Sequence, residues 1–228
     1  MLTFDKVAVA MDQGALNADF SVQAGRRVAV LGPSGAGKST LLDAVAGFRR
    51  IDSGALSWAG TEITQRAPEQ RPVSILFQDG NLFPHLSVAR NLGLALRPDG
   101  GRADARKVED ALERVGLGGY GARMPGTLSG GQQGRAALAR VLLMARPVIL
   151  LDEPFAALGP ALKAEMLALV SEVADRLGAL VMMVTHDPRD AQRFADDVVL
   201  VAEGVAQAPV ACDLFFADPP KAFRAYLG

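Results

Sequence analysis

Short apolar runs recur along the chain: Val28 to Leu31, Val73 to Phe77, Val148 to Leu151, Leu180 to Val184 and Val198 to Val201. They are mostly β-branched and lack the polar alternation of a strand with one wet face. They therefore predict strands buried on both faces of a sheet. Helical spacing appears between them. From Ala161 to Leu177, the residues Leu162, Met166, Leu169, Val173 and Leu177 recur at three- and four-residue steps, with Pro160 before and Gly178 after. This alternation predicts a largely parallel α/β core in three layers. No such strand run occurs from about Asp79 to Arg146, a stretch that reads as a helical insertion with a loop at Pro98, Gly100 and Gly101. Its charged segment, Arg102 to Arg114, reads as a solvated helix face.

Composition narrows the class. Half of the 228 residues are hydrophobic, enough for a sizeable core. With 24 basic and 25 acidic residues the net charge is -1, which gives no electrostatic case for a nucleic-acid partner. The single cysteine, Cys212, rules out an intrachain disulfide and fits a reducing compartment. Without a Cys/His cluster, no zinc site of the usual spacing is expected. Asp5 and Lys6 argue against a secretory signal. The longest apolar stretch, Val141 to Leu151, is interrupted by Arg146 and Pro147 and falls short of the roughly 20 residues a spanning helix needs. Any membrane association is expected to come through a partner.

The chemistry begins at Gly32, Pro33, Ser34, Gly35, Ala36, Gly37, Lys38, Ser39 and Thr40. This is the P-loop pattern, preceded by a strand and followed by a helical run from Leu41. Its glycines let successive N–H groups turn toward phosphate oxygens, and the helix N-terminus adds partial positive charge. Lys38 is expected at the β- and γ-phosphates and Ser39 on Mg²⁺. By itself the loop specifies an NTP site, open equally to a kinase or a GTPase. The buried strand Val148 to Leu151 ends in Asp152 and Glu153; Asp152 suits the magnesium, and Glu153 suits the attacking water. Leu128-Ser129-Gly130-Gly131-Gln132 stands before a helical run, Ala136 to Leu143, and builds a second anion-receptive helix N-terminus.

Taken together, these motifs resemble the ATP-binding subunits of ABC transporters, over nearly the whole chain. The resemblance implies a P-loop NTPase (RecA-like) core of residues 1–78 and 147–228, with an N-terminal antiparallel β-subdomain. It also implies an inserted α-helical subdomain at 79–146, all in a single nucleotide-binding domain. ATP and Mg²⁺ are the implied cofactors. It implies a head-to-tail homodimer in which Ser129, Gly130, Gly131 and Gln132 of one chain close over the γ-phosphate held by the other. Gln78 matches the glutamine that contacts Mg²⁺ and water, and His186 matches the switch histidine on the γ-phosphate. His85 has no such match and is expected at a surface or interface. Further implied partners are two transmembrane permease subunits and a periplasmic solute-binding protein acting through them. The implied location is the cytoplasmic face of the bacterial inner membrane.

Departures from the family pattern are specific. Met11 stands where an aromatic ring usually stacks on adenine; its polarisable sulfur can cover a purine face but has no π-system. Ala156 and Gly159 replace two polar residues of the loop after the acidic strand, Phe155 to Pro160, so weaker coupling between the two sites is expected. Gly134 places a glycine inside a helix start, at a cost of up to about 1 kcal/mol. Gly80 to Leu86 lies where family transporters receive a coupling helix of the permease. A DNA- or ribosome-acting cassette is disfavoured, because such proteins usually carry a long coiled coil or two cassettes. A P-loop kinase leaves the Leu128 to Gln132 motif unexplained. The short Ala217 to Gly228 tail gives no expectation of a further β-domain. Within the family, Arg71 to Leu94 and Leu31 to Phe48 are similar to the ATPases of bacterial thiamine importers, with ferric-ion and polyamine importers as alternatives.

Overall fold

The computed structural model describes residues 1–77, 82–156, 158–220 and 223–224. In chain order the elements are β1 (Leu2–Ala10), β2 (Ala15–Val22), β3 (Arg27–Leu31), α1 (Lys38–Ala46), β4 (Ser53–Trp58), β5 (Thr61–Glu62) and β6 (Val73–Phe77). Three helices follow, α2 (Val88–Leu96), α3 (Ala105–Arg114) and α4 (Gly130–Met144). The chain continues through β7 (Val148–Asp152), α5 (Pro160–Leu177), β8 (Leu180–Val184), α6 (Pro188–Phe194), β9 (Asp197–Ala202), β10 (Val205–Ala206), β11 (Val210–Ala211) and α7 (Cys212–Ala217).

The five apolar runs become one parallel sheet in the order β9-β3-β8-β7-β6. Each strand is buried on both faces because alternate residues enter different cores. Val148 and Leu150 join the layer that holds Leu41, Leu42 and Val45 of α1. Ile149 and Leu151 join the opposite layer, with Leu138 and Val141 of α4 and Met166 and Val170 of α5. Three layers result, with α1 on one side of the sheet and α5 on the other. Through β10 and β9 this sheet continues into antiparallel β2, β1, β4 and β5. The chain is thus an α/β protein with a mixed sheet, parallel through the core strands expected to be so and antiparallel in its N-terminal part.

Between β6 and β7 the described residues contain three α-helices and no strand. They share a core of their own around Val88, Leu92, Val108, Leu112 and Ala136. In α3 the charged positions stay outward while Val108, Ala111 and Leu112 turn inward. The loop at Pro98 to Gly101 separates α2 from α3. On α5 the inward stripe differs from the one the spacing suggests. Met166, Leu167, Val170, Val173 and Ala174 are buried, whereas Leu162, Leu169 and Leu177 are only half-buried. The reason is that α5 packs on two neighbours, the sheet and α4, so its apolar surface is wider than one stripe.

Candidate functional site

The loop from β3 to α1 wraps around the Lys38 side chain. Its Nζ donates to the carbonyls of Gly32 at 2.9 Å and Pro33 at 2.8 Å. Burial pushes the ammonium pKa down, opposed by Glu153 and Asp152. The loop depends on glycine at its two ends. A Cβ on Gly32, where φ is 148°, would lie 2.0 Å from the Val201 carbonyl oxygen on β9. At Gly37, φ is 104° and a Cβ would lie 2.8 Å from the Met11 sulfur. Met11, in the turn between β1 and β2, therefore rests over the start of α1. Ala36 closes the loop through its N–H to the Pro33 carbonyl, at 3.3 Å.

At the tip of β7, Asp152 accepts a hydrogen bond from Ser39 Oγ at 3.3 Å. Burial raises the Asp152 pKa and Glu153 adds to the rise, against the Ser39 hydrogen bond and Lys38. The pair joins a hydroxyl to a half-buried carboxylate, the oxygen donors a hard divalent cation takes. Among the described residues no group of three or more His, Cys, Asp or Glu could hold a metal by itself. A two-oxygen site suits magnesium, which keeps waters and takes substrate phosphate oxygens as ligands.

Glu153 turns off the strand in a left-handed conformation, φ 45°, with its N–H bonded to the Val184 carbonyl at 3.1 Å. Outside glycine that conformation is uncommon, and such strain concentrates at functional sites. The turn brings Glu153 Oε2 to 3.1 Å from Nδ1 of His186, which follows β8. Behind them, Lys163 of α5 pairs with Asp190, which also accepts from Thr185 Oγ1 at 3.2 Å. Asp187 N–H donates to Thr185 Oγ1 at 3.1 Å.

One cavity of about 530 Å³ is lined by Met11, Ser34, Gly35, Gly37, Lys38, Ser39, Thr40 and Glu153. Gly32 and Pro33 join it through Lys38, Asp152 through Ser39, and His186 through Glu153. Ser129, Gly130, Gly131 and Gln132 do not line it. Ser129 instead caps α4, accepting from Gln132 N–H at 3.3 Å while the Gln132 side chain accepts from Ser129 N–H at 3.0 Å. Ser129 and Gly130 are exposed, whereas Gly131 is buried, and a Cβ there would meet Leu162 of α5 at 2.7 Å. Gln78, with Gly80 and Asn81, lies outside the described residues. His85 is exposed beside Phe83, their rings 6.0 Å apart.

Arg71 escapes sequence reasoning. It is buried and donates to the Ala44 and Val45 carbonyls at the end of α1, at 2.5 Å and 3.0 Å, and to Thr64 and Arg66. It thus completes the C-terminus of the helix whose N-terminus faces the cavity. No local motif announces it, since all its acceptors are backbone groups. Arg49, also on the cavity, is equally unmarked in the sequence.

A P-loop at the head of α1, a carboxylate pair at the end of β7 and a histidine just after β8 define a nucleotide-hydrolysing site of one family. The family model for ABC transporters matches residues 16–156, and the chain belongs to that family. Among individual relatives, the thiamine import ATP-binding protein of Cereibacter sphaeroides is 58% identical over the full length of both chains. That of Ruegeria sp. is 52% identical, again over both full lengths. The protein of the same name from Escherichia coli O157:H7 is 50% identical over 81% of this chain and 80% of its own. In structure the chain is similar to the ATP-binding cassette MJ0796, solved as a dimer in a post-hydrolysis state with ADP and Pi. The TM-score is 0.78 and the identity 25%, covering 93% of this chain and 99% of that one. The fold is that of an ABC ATPase.

Proposed function

We propose that this chain is the ATP-hydrolysing subunit of a bacterial thiamine importer, working as one of two copies. The observation that carries the motor is the single cavity joining Lys38, Ser39 and Glu153, while Ser129 to Gln132 stand outside it. An exposed, capped helix N-terminus has no phosphate to receive within its own chain, so a second copy supplies it. In this reading the loop amides of residues 34 to 40 and Lys38 hold the phosphates. Ser39, Asp152 and Gln78 would hold Mg²⁺, which when bound offsets phosphate charge. Glu153 orients and polarises the attacking water, and His186, set against Glu153, bonds the γ-phosphate. The full-length identity to thiamine import ATP-binding proteins supports the cargo.

Among the described residues no helix is long and apolar enough to cross a membrane. In this reading a membrane partner meets the chain at the cytoplasmic face. A cavity of about 770 Å³ among the α2 and α3 helices supports a docking place for a permease helix, with Leu86, Ala89, Leu94 and Val108 on its wall. Cargo is delivered through the permeases by a periplasmic binding protein.

Two measurements test this. Uptake of labelled thiamine into cells is expected to be lost on Glu153→Gln and on Lys38→Ala. Uptake of iron or a polyamine in its place would overturn the cargo and leave the motor. In solution, the ATPase rate per chain is expected to rise with protein concentration; a flat rate would overturn the pairing.

A further inference from the structure

Met11 leaves the nucleotide cavity without an aromatic ring on its wall, yet a cation stands beside it. The walls of that cavity divide into two groups. Ser34, Gly35, Gly37, Lys38, Ser39 and Thr40 belong to the loop and first turn of α1, the phosphate end. Met11, Asp12, Gln13 and Arg49 make up most of the remainder. A nucleoside triphosphate with its phosphates on the loop has to place its base against this second group. Arg49 is fixed there. Its Nη1 donates to the Ala10 carbonyl at 2.8 Å, next to Met11, while the Ala10 N–H donates to Asp52 Oδ2 at 2.6 Å. The carboxyl of Asp43, on α1, also senses the Arg49 charge. Arg49 is exposed and lines the cavity.

Of the four side chains, only the guanidinium combines a flat π-surface with a positive charge, the pairing that stacks on an aromatic ring. Met11 offers a thioether that covers but does not stack, and Asp12 and Gln13 offer hydrogen-bonding groups. We propose that Arg49 is a base-recognition residue, stacking on the purine of the bound nucleotide in place of the ring that position 11 lacks. This rests on the nucleotide site described above and adds the group that reads its base.

Binding of ATP and of inorganic tripolyphosphate to the Glu153→Gln chain, measured by calorimetry, separates the two parts. Glu153→Gln is the common background because it is expected to leave ATP uncleaved. Arg49→Ala is expected to weaken ATP about tenfold, the scale of one desolvated cation–π contact, and to leave tripolyphosphate unchanged. Lys38→Ala is expected to weaken both ligands. Adding Met11→Tyr to Arg49→Ala is expected to restore ATP affinity, because a ring then replaces the lost stacking surface. Arg49→Lys, which keeps the charge and loses the plane, is expected to behave like Arg49→Ala, and it carries the test if Arg49→Ala does not fold. Unchanged ATP affinity in these Arg49 variants would overturn the proposal. So would equal weakening of both ligands by Arg49→Ala, or failure of Met11→Tyr to rescue. If Lys38→Ala leaves tripolyphosphate binding intact, the phosphate site itself is misplaced, whatever Arg49 does.

Discussion

Asp152 carries opposed demands. In the proposed role its charge serves cation binding, but burial makes the charged form costly in the folded chain. Because the folded pKa lies above the ordinary value of 3.8, the folded state holds its proton more tightly than the unfolded state. Stability is therefore lost as pH rises through the window above 3.8, and the whole cost is present at neutral pH. Asp152→Asn should raise the Tm of the nucleotide-free protein at neutral pH, with the gain fading below about pH 4, while ATP hydrolysis disappears. Thermal melts across pH check this; an unchanged Tm at neutral pH would refute it. Gly32 makes the opposite kind of demand. Alanine there meets the Val201 carbonyl oxygen at 2.0 Å in a backbone region that side chains avoid, so Gly32→Ala should cost more than about 3 kcal/mol in urea unfolding. At this scale the motifs single out side chains that the fold brings together: Lys38, Ser39, Asp152, Glu153 and His186. It read poorly where a side chain bonds only to backbone, as Arg71 does, or where distant residues meet by folding, as Met11 and Gly37 do.

Elements were legible in proportion to their burial. Strands β6 and β8 coincide with their apolar runs, and β3, β7 and β9 extend theirs by one or two residues. The N-terminal strands gave a weaker signal. In β1 the alternation breaks at Asp5 and Lys6, where a bulge shifts the register, Lys6 takes φ 48° and Gly54 of β4 makes room. Helix α4 contains its own test. Gly134 looked costly in sequence, and a Cβ there would sit 3.5 Å from the Met166 methyl, an ordinary contact. Gly134→Ala should thus stabilise the chain by up to about 1 kcal/mol without loss of ATPase activity, read by denaturant unfolding. At the start of α5, Gly159 caps the helix with no side-chain bond, and nothing lies within 4 Å of its missing Cβ. Gly159→Asp should therefore add a cap worth a few tenths of a kcal/mol. If the residue also links the two ATP sites, that variant will raise the cooperativity of hydrolysis; an unchanged rate and cooperativity would dismiss the link.

At the scale of the whole molecule, the proposed motor is a pair, and one chain is half of it. Its phosphate loop and Glu153 line a cleft, Asp152 and His186 are hydrogen-bonded to that lining, and the exposed Ser129 and Gly130 stand apart from it. The most direct measurement is the mass of the Glu153→Gln chain in solution, by sedimentation, with and without ATP and magnesium. With hydrolysis blocked, ATP should hold two chains together, and the same protein should be monomeric with ADP or without nucleotide. Adding Ser129→Arg should leave ATP bound and abolish the dimer. A Glu153→Gln chain that binds ATP and stays monomeric at tens of micromolar, or a dimer indifferent to Ser129→Arg, would contradict the paired motor.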